Sequence, residues 1–337
     1  MFIMNIQRDQ LYTTEEVAEM LKISAVTVKR YVAENKIPSL KINSLRRFGG
    51  KSILKFISGE SYTKATSEKK HASICKFTDQ IFEGDCLDIM PLLPDNSINM
   101  VLCDLPYGTT QNNWDSVIPL NRLWQEYERI IKARGIIVLT SHGIFTAKLI
   151  MSNPNLFKYK IVWVKSKSTN FLNAKKQPLR KHEDICIFYK KQPSYNPQKS
   201  PGLPFDKGFR KNQLTGSYGD FNSVEVKSDG DRYPNDVIYF KTSESEGGVF
   251  HPTQKPVELG RYLIKTFTEP GDIILDNACG SGSFLVSAVL ENRRFIGIEK
   301  NQETYLHKNK KVDYIEATNR RVSEARKKLK NAPRRLF

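Results

Sequence analysis

The sequence lacks the long apolar runs that mark membrane and secreted proteins. No stretch of about 18 or more apolar residues occurs, which argues against a membrane-spanning helix. The amino-terminal segment, MFIMNIQRDQ, is too short and too polar for the apolar region of a signal peptide. We therefore expect a soluble, cytoplasmic protein.

Cysteine and histidine are scarce, and neither forms a recognisable cluster. The cysteines include no C-x-x-C pair, and the histidines show no metal-ligand spacing. An odd number of cysteines scattered among apolar segments is typical of a reducing compartment. We expect no metal site, and we expect buried small side chains at Cys75, Cys86, Cys103, Cys186 and Cys279.

Acidic residues are the scarcer charge. The chain has 53 Lys plus Arg against 36 Asp plus Glu, a formal net charge of +17. Such an excess favours a polyanionic partner, most simply nucleic acid, through contacts with phosphates. A solvated basic surface is the plainer alternative, and charge alone says nothing about chemistry.

The pattern of residues 11–58 predicts a small domain that is separate from the rest of the chain. A threonine cap precedes a helix that carries Val17 on its apolar face, and Ser24 can cap a second helix. A tight turn joins the two helices, the pattern 40–48 indicates a hairpin, and a short helix over 51–58 closes the unit. This order predicts a helix-turn-helix with a wing.

The same stretch resembles the winged helix-turn-helix domains of excisionases and related regulators. The resemblance implies DNA contacts from Lys29 and Arg30 on the second helix, and from Arg46 and Arg47 on the wing. A small helical packing domain without DNA contacts is the alternative.

Beyond this unit the composition predicts three further segments. Residues 59–75 are polar and aperiodic, as in a linker, and residues 76–318 form an α/β domain. The tail 319–337 is a basic helix, frayed beyond residue 333. Within the α/β domain, residues 190–248 are rich in Pro, Gly, Ser and Lys, and a loop of that length is usually functional or disordered.

Apolar runs alternate with helical patterns through most of the α/β domain. Such alternation predicts a mostly parallel sheet covered by helices on both faces. The predicted strands are 98–103, 136–140, 160–164, 184–189, 272–276 and 295–299, and the helical patterns include 120–132, 142–151, 256–268 and 283–292.

Two motifs follow predicted strands directly. The first is Asp104-Leu105-Pro106-Tyr107-Gly108, and the second is the stretch DNACGSGSF that begins at Asp276 and opens a helix. Ligands of open α/β sheets bind at the carboxyl ends of strands, so both motifs lie where a site is expected.

The second motif has the features of a ligand-binding loop. Gly280 and Gly282 allow close approach of a ligand to the backbone, and Glu299 ends the next strand, where a carboxylate can bind ribose hydroxyls. A nicotinamide cofactor is disfavoured because Leu285 stands where the G-x-G-x-x-G pattern requires a third glycine.

Together the motifs resemble those of the amino-group DNA methyltransferases. The Asp104 box is similar to their motif IV, the Asp276 loop to motif I, FIGIE at 295–299 to motif II, and HPTQKP at 251–256 to motif X. The Asp104 box precedes the glycine loop, a permuted order that resembles the β class. The resemblance implies a Rossmann-like sheet in circularly permuted order, with a target-recognition region at 190–248.

The resemblance also assigns roles residue by residue. The catalytic box is Asp104, Leu105, Pro106 and Tyr107, although Leu105 stands where the family has proline and Asn277 stands where proline is frequent in motif I. The cofactor, S-adenosylmethionine, would be bound by Asp85, Cys86, Thr253, Lys255, Asp276, Ala278, Gly280, Ser281, Gly282, Phe284 and Glu299. For Asp85, a helix cap is the competing interpretation.

The chemistry expected of the box is activation of an exocyclic amine. The lone pair of such an amine is delocalised into the base, and accepting hydrogen bonds from both N–H groups frees it. The Asp104 carboxylate and the Leu105 carbonyl can provide the two acceptors, with Tyr107 stacked on the base and Pro106 fixing the turn. The base must first be flipped out of the duplex.

Adenine N6 is the predicted target of a site-specific enzyme, because an aspartate at the start of the box favours it, and cytosine N4 is the alternative. A non-catalytic DNA-binding regulator with a degenerate methylase fold is the alternative from another class. The predicted partner is double-stranded DNA. The resemblance also raises a second copy of the chain and a cognate restriction enzyme as partners, and the sequence leaves both open.

Overall fold

A computed structural model describes the chain at residues 6, 11–34, 36–37, 39–42, 45–57, 74–108, 116–210, 223–250, 253–301, 305–307 and 310–331. The chain divides into two compact units, and the boundary between residues 71 and 72 lies within the segment predicted as a linker. Residues 58–73, most of that linker, lie outside the described residues.

The described residues of the first unit form three short helices and three short strands. Its two leading helices begin at side-chain caps, because Thr13 and Glu16 form a reciprocal capping box and Ser24 accepts from the Thr27 N–H. The strands form an antiparallel sheet in the order β1-β3-β2. The elements are β1 Leu11–Tyr12, α1 Thr14–Leu21, α2 Ala25–Ala33, β2 Leu40–Ile42, β3 Leu45–Gly49 and α3 Gly50–Ile57.

A small apolar core holds this unit together. Val17 from α1, Val28 from α2, Phe48 from β3 and Ile53 from α3 are all fully buried and pack in one cluster. Each helix and the hairpin therefore contribute to one core, as the predicted winged helix-turn-helix requires. Residue 35, near the predicted end of the second helix, lies outside the described residues.

The second unit contains an eight-stranded sheet. The strands described in the second unit, including those of three small separate pairs, are β4 Gln80–Glu83, β5 Ile98–Cys103, β6 Ile131–Ser141, β7 Phe157–Thr169, β8 Arg180–Tyr189, β9 Ser200–Pro201, β10 Phe205–Arg210, β11 Val224–Ser228, β12 Asp231–Arg232, β13 Val237–Phe240, β14 Ile273–Asp276, β15 Arg294–Glu299, β16 Tyr305–His307 and β17 Lys310–Val312. Its helices are α4 Cys86–Ile89, α5 Leu120–Ile130, α6 Ile144–Ser152, α7 Val257–Phe267, α8 Ser283–Leu290 and α9 Tyr314–Asn331.

The large sheet runs in the order β13-β7-β8-β6-β5-β14-β15-β4. All of its neighbouring strands pair in parallel except at β8, which is antiparallel to both β6 and β7. Strand β4 precedes β5 in the chain but lies at the far edge, paired with β15. This arrangement confirms the predicted mostly parallel sheet.

Helices cover both faces of the sheet, and β5 is apolar at every position except Asn99. Val101 and Cys103 belong to the core cluster formed with α5 and α6, whereas Met100 and Leu102 belong to the cluster formed with α7 and α8. Successive side chains of a strand point to opposite faces, so a strand covered on both sides is apolar at nearly every position. Among the described residues, no helix is long and apolar enough to cross a membrane.

Two segments differ from the sequence prediction. The irregular region 190–248 contains β13, which pairs in parallel with β7, and two small antiparallel pairs, β9 with β12 and β10 with β11. The predicted boundary between 318 and 319 falls inside α9, whose Thr318, Val322 and Ala325 are buried. Because this helix packs on the core, it belongs to the second unit. Residues 332–337, the predicted frayed end, lie outside the described residues.

Candidate active site

A cavity of about 520 Å³ opens at the carboxyl ends of the parallel strands. It is bordered by the residues that follow β4, β5, β6, β14 and β15, so the strand order itself brings the two sequence motifs together. The Asp104 box lies on one side of the cavity and the glycine loop on another. A volume of this size suits a small-molecule ligand.

Asp104 is held by donors from three other positions. The hydroxyl groups of Tyr107 and Thr140 both donate to its Oδ1, the former at 2.8 Å. The Lys255 ammonium donates to its Oδ2 at 2.6 Å. Thr140 is the next-to-last residue of β6, which pairs with β5, and Lys255 lies two residues before α7. The carboxylate is therefore fixed by separate elements.

Lys255 connects Asp104 to a second acidic residue. Its Nζ lies 3.4 Å from Oε2 of Glu183, whose Oε1 accepts from Lys165 at 3.0 Å. Burial alone would lower the pKa of Lys255, but the carboxylates of Asp104 and Glu183 outweigh it and raise that pKa above the ordinary lysine value. Burial opposes ionisation of Glu183 as well, yet Lys255 and Lys165 lower its pKa below the ordinary glutamate value. Acidic and basic side chains therefore alternate along the cavity wall.

Tyr107 is oriented by contacts on its ring as well as on its hydroxyl. Its ring stacks on Phe145, with centroids 5.1 Å apart and planes inclined by 27°. Lys255 Nζ lies 5.7 Å from the centroid of the same ring. Burial, followed by the nearby Asp104 carboxylate, raises the pKa of Tyr107 well above the ordinary tyrosine value. The hydroxyl therefore remains a proton donor to Asp104.

The glycine loop is held against the end of β15. The Gly280 N–H donates to Glu299 Oε2 at 2.7 Å, and the Asn301 N–H donates to Oε1 of the same side chain at 3.2 Å. Gly280 has φ of +49°, and a Cβ built there would face open space. The Gly280 backbone is thus exposed to the cavity, and the neighbouring Glu299 carboxylate is buried at its edge.

Helix α9 supports this loop from the opposite side. Thr318 donates to the Gly280 carbonyl at 2.8 Å, and Arg321 donates to the Ser281 carbonyl and to the Ser281 hydroxyl. Gly282 has φ of +74°, and a Cβ there would collide with the Thr318 side chain. Burial lowers the pKa of Arg321 to about 10. The loop is therefore enclosed between the cavity and α9.

Asp276 is a buried carboxyl at the base of the loop. Burial raises its pKa to about 8, and the Asp104 and Glu299 carboxylates act in the same direction. Burial likewise raises the pKa of Glu299. The carboxyl groups beside the glycine loop are therefore poorly solvated, and they hold their protons to a higher pH than exposed carboxyl groups do.

Most of the predicted cofactor residues line one cavity together with the whole catalytic box. Gly282 is the exception, because it faces α9 and is not part of the lining. Asp85 both borders the cavity and caps α4, accepting from the Leu87 N–H at 2.9 Å, so it has the geometry of both interpretations. The lining includes Asp85, Cys86, Thr253, Lys255, Asp276, Ala278, Gly280, Ser281, Phe284 and Glu299. His251 and Pro252, which begin the HPTQKP stretch compared above with motif X, lie outside the described residues.

The predicted DNA-binding residues lie in the first unit. Lys29 and Arg30 are exposed on α2, where Arg30 lies 3.9 Å from Glu34. Arg46 and Arg47 are half-buried on β3, and Arg46 donates to the Ser39 hydroxyl at 2.8 Å. The basic side chains on α2 are therefore more exposed to solvent than those on β3.

Several residues of the site were missed by sequence reasoning. Thr140 could have been found, because it ends a predicted strand at the same sheet edge as Asp104. The others lacked a signal, since their roles depend on which strands and helices become neighbours. The missed residues are Thr140, Phe145, Lys165, Glu183, Thr318 and Arg321.

The sheet order, the glycine loop and the Asp104 box at one cavity define an α/β protein of the Rossmann-like methyltransferase type. Residues 98–310 match the N6/N4 family described as DNA methylase, and residues 11–61 match the family described as helix-turn-helix domain. Because the first match spans well over half of the chain, this protein belongs to the N6/N4 DNA methylase family. The predicted family and the predicted amino-terminal helix-turn-helix are confirmed.

Individual relatives are distant. The chain is 27% identical to the type II methyltransferase M2.MboI of Moraxella bovis over 281 residues, covering 74% of this chain and 90% of that protein. It is 28% identical to the type II methyltransferase M.BglII of Bacillus subtilis over 254 residues, covering 67% of this chain and 66% of that one. The solved complex of M1.HpyAVI with SAM is 20% identical, with a TM-score of 0.49, covering 72% of this chain and 98% of that chain.

Proposed function

We propose that this DNA methylase transfers a methyl group from S-adenosylmethionine to the N6 amino group of adenine in a site-specific manner. The observation that carries the proposal is one cavity that contains both the Asp104 box and the glycine loop. A donor bound at the loop and a base bound at the box would share that space. Positioning of the two reactants is the main requirement of a direct transfer.

The residues of the cavity suit the proposed cofactor. The Gly280 backbone faces open space, so an elongated ligand can approach it without meeting a side chain. Glu299, at the edge of the cavity, is a hydrogen-bond acceptor for ribose hydroxyls. When bound, S-adenosylmethionine supplies an activated methyl group. Gly280, Ser281 and Glu299 would hold it, with Asp85 and Cys86 at the other border of the cavity.

The Asp104 carboxylate has room for one further donor. A carboxylate offers about four acceptor positions. The described donors Tyr107 and Thr140 use Oδ1, and Lys255 uses one position on Oδ2. The second position on Oδ2 can accept one N–H of the target amine, and the Leu105 carbonyl can accept the other.

These two acceptors would draw the amine nitrogen out of conjugation with the ring. The three donors around Asp104 fix the carboxylate before the base arrives, so little reorganisation is needed during transfer. Tyr107 would contact the face of the base. An amine inside a duplex cannot reach this cavity, so the base must be extruded.

Adenine is proposed over cytosine because the box begins with aspartate. A cognate restriction enzyme is a further expected partner, because the relatives above are type II methyltransferases. The helix-turn-helix unit, with Lys29 and Arg30 exposed on α2, supports DNA as the substrate.

The test is to express the chain in a host without DNA methylation and to identify the modified base and its sequence context. We expect N6-methyladenine at one short sequence, and its loss when Asp104 is replaced. Detection of N4-methylcytosine instead would identify cytosine as the substrate. Unmodified DNA, together with no transfer of labelled methyl to DNA in vitro, would favour the non-catalytic regulator.

A further inference from the structure

The loop that joins β7 to β8 carries two large apolar side chains in solvent. Phe171 is 74% exposed and Leu172 is 84% exposed. Isolated exposed apolar residues are ordinary, but two adjacent ones at the tip of a loop form a small exposed apolar patch. Neither the core nor the cavity described above accounts for this patch.

The loop is ordered by its own hydrogen bonds. Asn170 adopts φ of +69°, and its carbonyl accepts from the Asn173 N–H at 3.0 Å. The Asn173 side chain donates to Asn170 Oδ1 at 2.7 Å, and the Asn173 carbonyl accepts from the Lys176 N–H at 2.8 Å. The two apolar side chains are therefore presented by a preformed turn, which lowers the entropy cost of inserting them into a partner.

The position of the loop connects it to the site. Thr169, the last residue of β7, and Arg180, the first residue of β8, pair with one another, and both line the cavity that contains Asp104. The residues between them thus extend from the rim of the proposed base-binding cavity. A duplex that delivers a base to Asp104 must pass this rim.

The charge of the segment favours a polyanion. Residues 167–182 include Lys167, Lys175, Lys176, Arg180 and Lys181, all exposed, and contain no aspartate or glutamate. Basic side chains around an apolar tip are the combination that proteins use to insert a wedge between DNA base pairs. An apolar protein partner would not require this excess of positive charge.

We propose that Phe171 and Leu172 insert into the duplex beside the target base and occupy the stack from which that base is extruded. Lys175 and Lys176 contact the flanking phosphates. The wedge offsets part of the stacking lost when the base leaves the helix. This inference rests on the proposed function, since it assumes that the base is modified outside the duplex.

The test uses full-length protein and a duplex that contains the modified sequence, with 2-aminopurine at the target position. Binding of the wild type should increase the 2-aminopurine fluorescence, because the base becomes unstacked. The Phe171→Ala/Leu172→Ala variant should bind roughly tenfold more weakly and should lose most of the fluorescence increase. Met151→Ala is the matched control, because Met151 is 71% exposed but lies on α6 and not on the β7–β8 loop.

A second duplex separates a wedge from a general DNA contact. When the target base faces an abasic position, extrusion costs less, so the double variant should lose less affinity than it loses on the matched duplex. Equal losses on both duplexes, or an affinity and fluorescence equal to those of Met151→Ala, would overturn the proposal. Failure of the proposed function is distinguishable, because the wild type itself would then transfer no methyl group. Unchanged S-adenosylmethionine binding by the double variant establishes that its site is intact.

Discussion

At the scale of the residue, Asp104 combines a proposed chemical role with a structural one. It is the closest carboxylate to the buried Lys255 ammonium, at 2.6 Å, with Glu183 at 3.4 Å. Removing one member of a buried ion pair leaves the other charge uncompensated, which is costly to stability. A loss of activity at Asp104 must therefore be separated from a loss of folding.

We expect Asp104→Ala to lower methyl transfer by about two orders of magnitude or more and also to lower the free energy of unfolding. The Asp104→Ala/Lys255→Met variant should recover stability, because the unpaired charge is gone, without recovering activity. Urea unfolding and single-turnover transfer of labelled methyl measure the two quantities. Recovery of turnover in the double variant would show that Asp104 acts only by balancing Lys255.

Asp276 should make stability depend on pH. Its pKa is about 8 in the folded protein and near 3.8 in an unfolded chain. Between these values the folded protein retains a proton that the unfolded chain has released, so the free energy of unfolding decreases as the pH rises from about 4 to about 8. Asp276→Asn removes this contribution.

We therefore expect the stability of Asp276→Asn, relative to the wild type, to increase with pH across that window. Urea titrations between about pH 5 and pH 8.5 would measure the difference. Parallel curves for the two proteins would mean that Asp276 is ionised in the folded state.

At the scale of the element, α9 makes the glycine loop part of the packed core. Gly282→Ala would meet the Thr318 side chain at a positive φ, and we expect it to weaken S-adenosylmethionine binding about tenfold. Thr318→Ser removes the interfering methyl group but keeps the hydroxyl that donates to Gly280. It should therefore restore part of the affinity of Gly282→Ala.

Gly280→Ala is the matched control for this experiment. It has a positive φ as well, but its Cβ would face open space, so Thr318→Ser should give it no rescue. Calorimetric titration of the four variants with S-adenosylmethionine provides the comparison. An equal effect of Thr318→Ser in both backgrounds would mean that Thr318 acts through the loop as a whole.

Long buried strands were predicted well, whereas short strands and solvent-exposed strand ends were predicted poorly. Strand β5 was predicted at its observed limits, because every residue except Asn99 belongs to one of the two core clusters. Strands β7 and β8 extend beyond their predicted apolar centres with residues that are mostly polar and exposed, such as Lys158 and Arg180, and these carry little hydrophobic signal. Strand β13 was missed because it is four residues long and lies in a segment rich in turn-forming residues.

Residues of the site were predicted where they belong to local motifs and were missed where they meet only through the pairing of strands. The Asp104 box and the glycine loop were predicted from local motifs at strand ends. Glu183 was not, because its relation to Lys255 depends on β8 running antiparallel beside β6, and no local pattern of residues specifies that pairing. Strand β4 was not among the predicted strands, and the family resemblance supplied only the permuted order of the two motifs.

At the scale of the whole molecule, the chain divides into a helix-turn-helix unit and a methylase unit. We expect deletion of residues 1–71 to reduce the affinity for DNA while preserving turnover at saturating DNA, because the cavity residues all lie in the second unit. Each lost phosphate contact should flatten the dependence of log affinity on log salt by roughly one unit.

Lys29→Gln/Arg30→Gln in the full chain should reproduce part of this change, because both side chains are exposed on α2. Binding isotherms at several salt concentrations, with turnover at saturation, provide the measurement. A truncated protein that folds and binds S-adenosylmethionine, yet does not turn over at any DNA concentration, would place part of the catalytic unit before residue 72.

The pairing of β4 with β15 has a consequence for the order in which the sheet assembles. Asp79 and Phe295, which hydrogen-bond at the start of these strands, lie 216 positions apart along the chain. During synthesis, β4 leaves the ribosome long before its partner exists, and such non-local pairings form slowly. The two end residues of β4, Gln80 and Glu83, are exposed and polar. Polar residues of this kind disfavour pairing of an unpaired strand with other chains. Closure of this edge is thus a late step of folding, and it also completes the sheet beside Glu299.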